Sequence, residues 1–232
     1  MDQVKSFFDS FKEFIWDIIG YLLPGSYLLI LLQYVIYPIY LIEVNKLNNL
    51  IPNFHSYSFI ILAYILGHGA YGLGLIKEEI LRRCSYITYK EKIEETVSHK
   101  KPFLIAKKLI VKNLTENGLD ENFDSATVKD IRNIIMSYYP EYNQKVYSFT
   151  FRSELSNQAG NISFLIGIFG ILFSILNNSF SFFQLFQSDV IHVILYICLI
   201  CSYLFFRQTR NRFYKISLEL PFSIYTASEI KK

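Results

Sequence analysis

Four stretches of this 232-residue chain are too long and too apolar to be packed readily inside a small water-soluble domain. They run roughly Tyr21 to Ile42, Tyr57 to Ile76, Ile162 to Leu176 and Val190 to Phe206. A helix rises about 1.5 Å per residue, so about 20 residues cross the hydrocarbon core of a bilayer. The third stretch is short alone, and its helix is expected to begin before Asn161. The fold class this predicts is an all-α integral membrane protein. It has four transmembrane helices, an N-terminal amphipathic helix and a helical cytosolic domain.

The charges set the orientation. Of 23 Lys and Arg, only Lys46 lies in Glu43 to Ser56, and none lies in Asn177 to Asp189. The other 22 precede the first stretch, fall between the second and third, or follow the fourth. Basic residues near span ends stay cytoplasmic. Both termini and the central segment are therefore expected in the cytosol. The divisions are an interfacial helix over 1–20, a first hairpin over 21–76, a cytosolic helical domain over 77–161, a second hairpin over 162–206 and a tail over 207–232. The early acidic residues Asp2, Asp9, Glu13 and Asp17 do not fit a cleavable leader. Abundant Asn, Ile, Lys, Phe and Tyr suggest an AT-rich bacterial genome, and hence a bacterial inner membrane.

Val4, Phe7, Phe8, Phe11, Ile15, Ile18 and Ile19 recur at helical spacing opposite a charged face, as in a helix lying in the headgroup layer. Gly20 and Pro24-Gly25 are expected to interrupt that helix. The second stretch is expected to continue as a charged helix to about Val97. Pro102 would open the next helix and Gly118 close it; Ser125 would cap another that Pro140 stops. A further helix from about Tyr142 would lead into the third stretch, and the last helix would persist to Pro221. The outer turn would be held by Phe180, Phe182, Phe183 and Phe186.

Gly67-His68-Gly69-Ala70-Tyr71-Gly72 matches the dinucleotide fingerprint G-x-G-x-x-G in letters only. That motif needs a strand before it and a helix after it, and here it lies within an apolar helix. Ala63, Gly67 and Gly74 instead read as a close helix contact. Gly160, Ser163, Gly167, Gly170 and Ser174 form a second stripe of small residues. It suits helix packing within one subunit, packing between subunits, or the lining of a pore. His68 and His192 would be costly against lipid and should face other helices or water.

No catalytic constellation is visible, and the expectation is that the chain is not an enzyme. The four histidines are scattered, without the paired spacing of a zinc site. Cys198-x-x-Cys201 lies in apolar helix and reads as core packing, and no cofactor is implied. The basic residues are the better lead. Lys101, Lys108 and Lys112 share one helix face, flanked by Lys100 and Lys107, with Phe103, Ile110 and Leu114 opposite. Arg82 and Arg83 add a cluster, and Arg207, Arg210 and Arg212 another. Such a surface fits anionic lipid, a nucleotide or a short oligonucleotide, with Tyr138, Tyr139, Tyr142 and Tyr147 available for stacking. Arg152, Glu154 and the Arg207–Arg212 run would couple the cytosolic domain to the spans.

Three patterns carry a resemblance: Asp17-Ile18-Ile19-Gly20-Tyr21-Leu22-Leu23-Pro24-Gly25, Arg152-Ser153-Glu154 with Asn157, and Arg207-Gln208-Thr209-Arg210-Asn211-Arg212-Phe213-Tyr214. They resemble small bacterial membrane proteins encoded with antiphage defence genes, and the layout is similar to the four-span effectors of Kiwa- and Hailong-type systems. That resemblance implies a homo-oligomer that conducts ions or disrupts the membrane under a nucleotide or oligonucleotide signal. A non-conducting scaffold recruiting a cytosolic partner protein is the alternative. No family binding residue maps onto a position here.

Overall fold

The computed structural model describes residues 2–35, 54–116, 126–179 and 186–230. Among them are seven α-helices and no paired strands. They are α1 (Asp2–Val35), α2 (Phe54–Arg83), α3 (Tyr89–Ser98), α4 (Lys101–Glu116), α5 (Val128–Tyr138), α6 (Asn143–Ser179) and α7 (Val190–Ile230). Four of these, α1, α2, α6 and α7, are long and apolar enough to cross a membrane. Their lengths of 34, 30, 37 and 41 residues all exceed what a bilayer core requires.

The chain forms two compact units. The first comprises Met1–Lys77 and Leu155–Arg207, and the second Glu78–Glu154 and Gln208–Lys232. In the first, Leu31, Val35, Ala70, Ile162, Ile166, Phe186, Tyr196 and Leu199 make a small core. Many of its apolar side chains point outward instead: Ile61, Ile65, Ile76, Ile191, Leu204 and Phe205 are all more than half exposed. The second unit has the larger core. Val97, Phe103, Ala106, Ile110, Val128, Ile131 and Ile135 from α3–α5 close on Tyr214, Leu218, Phe222 and Tyr225 from α7. Residues after Arg207, read from sequence as a tail, thus supply one wall of that core.

Several helix limits differ from the sequence expectation. The backbone of α1 runs through Gly20 and Pro24 without a break. Proline removes one amide donor, but Pro24 and Gly25 are buried and Gly25 lies hard against Ala63 of α2, so packing holds the helix together. The amphipathic face assigned to Val4, Phe7, Phe8 and Phe11 lies outside the described side chains. α2 stops at Arg83 rather than near Val97. Ser85 takes a left-handed φ of 57°, and Thr88 then caps α3. Its hydroxyl accepts from the Glu91 N–H while the Glu91 carboxylate accepts from the Thr88 N–H. Thr127 and Asp130 repeat this box at α5; the expected cap Ser125 and the expected stop Gly118 lie outside the described residues. Pro140 does end α5. α7 passes Pro221 and reaches Ile230, because Pro221, Phe222 and Tyr225 are buried together. Of the four phenylalanines between α6 and α7 only Phe186 is described; it is buried and stacks on Phe173 at 5.0 Å.

Candidate functional site

In the second unit, α4 buries Phe103, Ala106 and Ile110 and turns Lys101, Lys108 and Lys112 outward, with Lys107 half-buried. The basic stripe is not uniform. Lys112 pairs with Glu116 one turn on, at 3.7 Å. Lys100 is held by Glu219 of α7 at 2.5 Å, and that contact raises its pKa. Lys100 and Lys101 border a cavity of about 300 Å³ whose floor includes Phe103 and Phe222. Lys107, Lys108 and Lys112 lie further along α4 and do not line it. Arg82 and Arg83 are exposed and engaged by Glu79 at 3.5 and 3.1 Å; Arg82 also sits 3.9 Å from Glu91. Of the tyrosines offered for stacking, Tyr139 is committed to Ser228 and to the ring of Tyr225. Tyr138, Tyr142 and Tyr147 keep exposed rings.

The residues assigned to coupling separate into distinct roles. Arg207 and Arg212 are exposed. Arg152 lies 5.8 Å from the rings of both Phe149 and Phe213. Arg210 is buried, its guanidinium 3.6 Å from the centre of the Tyr89 ring. It donates to Asn211 Oδ1, and its carbonyl accepts from the Ser153 hydroxyl at 3.0 Å. Glu154 pairs with Lys90 at 3.0 Å. Beside them, the Tyr214 hydroxyl donates to Glu94, which also holds Lys129 at 2.8 Å. Burial, and then Glu154, drive the Tyr89 phenol well above its ordinary pKa; burial, and then the Glu94 contact, do the same to Tyr214. Both phenols are therefore protonated and both carboxylates are engaged. This arrangement suits a locked polar seam rather than acid–base chemistry.

In the first unit the small residues meet backbone and rings of the same chain. A Cβ on Gly67 would stand 1.8 Å from the Tyr21 carbonyl oxygen, and one on Gly25 would stand 1.6 Å from that of Ala63. Gly160 faces Phe206, Gly167 faces Tyr196 and Ile200, and Gly170 faces the Tyr196 ring. The stripe on α6 is thus occupied by α7 of the same subunit. Ser163 bonds Tyr27 at 2.7 Å, and Ser174 donates to the Gly170 carbonyl. His68 is exposed and stacked on Tyr21 at 3.6 Å, while His192 contacts Asp189 and the Tyr34 carbonyl. Cys198 and Cys201 are exposed on α7, which removes them from the core role expected.

One polar group was missed in sequence. Asn157, Gln158 and Asn161 are buried on α6, and Lys77 donates to Asn161 at 2.6 Å. Gln158 Oε1 and Asn161 Nδ2 have no partner within the described residues. The spacing i, i+1, i+4 of three amides just ahead of an apolar run was the available signal. Among the described residues no three His, Cys, Asp or Glu side chains gather as a metal site. Comparison with protein families, curated proteins and solved structures finds no match.

Proposed function

We propose that this chain is a subunit of an oligomeric, multi-pass effector in a bacterial inner membrane. An anionic nucleotide or oligonucleotide bound on the cytosolic second unit would gate an ion-conducting path through the first. The observation that carries this reading is the contrast between the units. The first shows apolar side chains on its outer surface, as a lipid-facing body must. The second has a core of its own and a basic helix face. Three helices, α2, α6 and α7, supply residues to both. The placement in antiphage defence is supported by the resemblance of the three short patterns alone. A ligand can gate only by binding two states with unequal affinity. Reconstitution in dye-loaded liposomes, with and without oligonucleotide, tests this. Ligand-dependent efflux is expected, and an intact barrier under every condition overturns it.

A second reading, a non-conducting scaffold that recruits a cytosolic protein, is favoured by the α6 stripe being closed by α7. Retention of a defined soluble partner by charge-reversed Lys101, Lys108 and Lys112, with no efflux, would select it.

A further inference from the structure

We propose that the cavity between the start of α4 and the end of α7 binds a phosphomonoester of mononucleotide size, and that Glu219 is a built-in competitor for its phosphate. This deepens the reading above and rests on it for the meaning of the site, though not for its chemistry.

The charge pattern is the first observation. Lys100 and Lys101 border the cavity, and Glu219 lines it as well. Like ammonium charges repel, and this one carboxylate, paired with Lys100, stands against two of them. One negative charge does not balance that set; a phosphate dianion replacing it would come closer. The second observation is the floor. Phe103 and Phe222 meet edge to face at 5.2 Å and, with Val97, close the base as part of the core, so the apolar surface left open to a ligand is that of half-buried Pro102. A sugar can rest on it while its phosphate meets the lysines. The size is the third. About 300 Å³ is at the small end of ligand sites, suited to one nucleotide and not to a long strand.

Glu219 and a phosphate oxygen are acceptors of the same kind for an ammonium donor. Lys100 is partly exposed, at 37%, while the Glu219 Oε1 it meets is covered, so an entering anion approaches from the Lys100 side. Exchange would release Glu219, a residue of α7, from its hold on Lys100.

The test is titration of full-length protein in detergent with AMP and with pyrophosphate, by calorimetry. Glu219→Gln should tighten AMP roughly twofold to fivefold, the scale of one lost competing ion pair. Lys100→Gln should weaken it by at least as much, with the thermal transition of both variants checked for an intact fold. Equal affinity in wild type and Glu219→Gln overturns the proposal, as does the absence of binding at millimolar AMP in both. Repeating the titration in phosphatidylcholine nanodiscs with and without phosphatidic acid, a phosphomonoester lipid, identifies the phosphate source. Competition by phosphatidic acid that requires Lys100 supports the site with a lipid headgroup as occupant. The two readings part in the efflux assay. AMP-dependent efflux unchanged by Lys100→Gln sinks this site and spares the channel. AMP binding with the Glu219 pattern but no efflux does the reverse.

Discussion

Replacing Gly67 by alanine should open the contact between α1 and α2. A Cβ there would lie 1.8 Å from the Tyr21 carbonyl oxygen, 2.6 Å from its carbon and 3.0 Å from its Cα. All three are backbone atoms, so no rotamer change relieves them, and one helix must move by roughly 1.5 Å to restore ordinary contact. Overpacking of this kind costs about 1–3 kcal/mol, and an unyielding neighbour puts it near the upper end. Alanine returns about 1 kcal/mol of helix propensity, leaving a net loss of about 2 kcal/mol. Gly69 and Gly72, in the same short run, meet nothing within 4 Å. Alanine at either should stabilise by up to about 1 kcal/mol. The assay is unfolding in mixed micelles with a rising fraction of denaturing detergent, followed by far-UV circular dichroism. The expected order is Gly69→Ala and Gly72→Ala above wild type, with Gly67→Ala well below. A Gly67→Ala protein as stable as wild type, or equal losses at all three glycines, would refute the close approach. Equal losses are also what a nucleotide-cradling loop would give.

Arg210→Met should cost about 2 kcal/mol, because it removes the buried cation that lies on the Tyr89 ring; Arg210→Lys should recover little, since an ammonium lacks the planar face that lies on the ring. Thermal melts of the purified protein measure both. Gln158→Leu should leave stability unchanged or raise it by about 1 kcal/mol, since it removes a buried acceptor without a partner. The two capping boxes should give an acid-sensitive limb. The Thr88 backbone and side chain hold Glu91 below its ordinary pKa of 4.5, and the Thr127 side chain and backbone hold Asp130 below 3.8. Depressed folded-state values mean that their stabilisation is complete above those ordinary values and is lost as pH falls through the lowered ones. A Glu91→Gln, Asp130→Asn double variant should flatten melting temperature against pH in that range.

Apolar length made the four long helices legible, because about 20 consecutive apolar residues suit one long helix. The limits of the helices were legible only where a local rule ruled. Pro140 ends α5 and opens a short 3-10 turn, and it is itself exposed. Pro24 and Pro221 do not end theirs, because Gly25 is seated against α2 and Phe222 sits in a core. Those are long-range contacts that no window of sequence contains. The break after Arg83 did have a local sign. Thr88 and Glu91, like Thr127 and Asp130, carry the spacing of a capping box. Arg210 also had a sign: it shares a helical stripe with Tyr214, Leu218, Phe222 and Tyr225, which is a buried face and not a solvated one. The cavity at Lys100 had none. It depends on Glu219 arriving from a helix more than a hundred residues away.

That the second unit draws one wall from residues beyond Gln208 has a consequence for biosynthesis. While the chain is being translated, α3, α4 and α5 leave the ribosome long before the segment that covers them. Until Tyr214, Leu218, Phe222 and Tyr225 emerge, Ile110, Ile131 and Ile135 lack their final cover. The nascent chain is most vulnerable to proteases and to sticking in that interval, and a stop codon just after Arg207 would make the interval permanent.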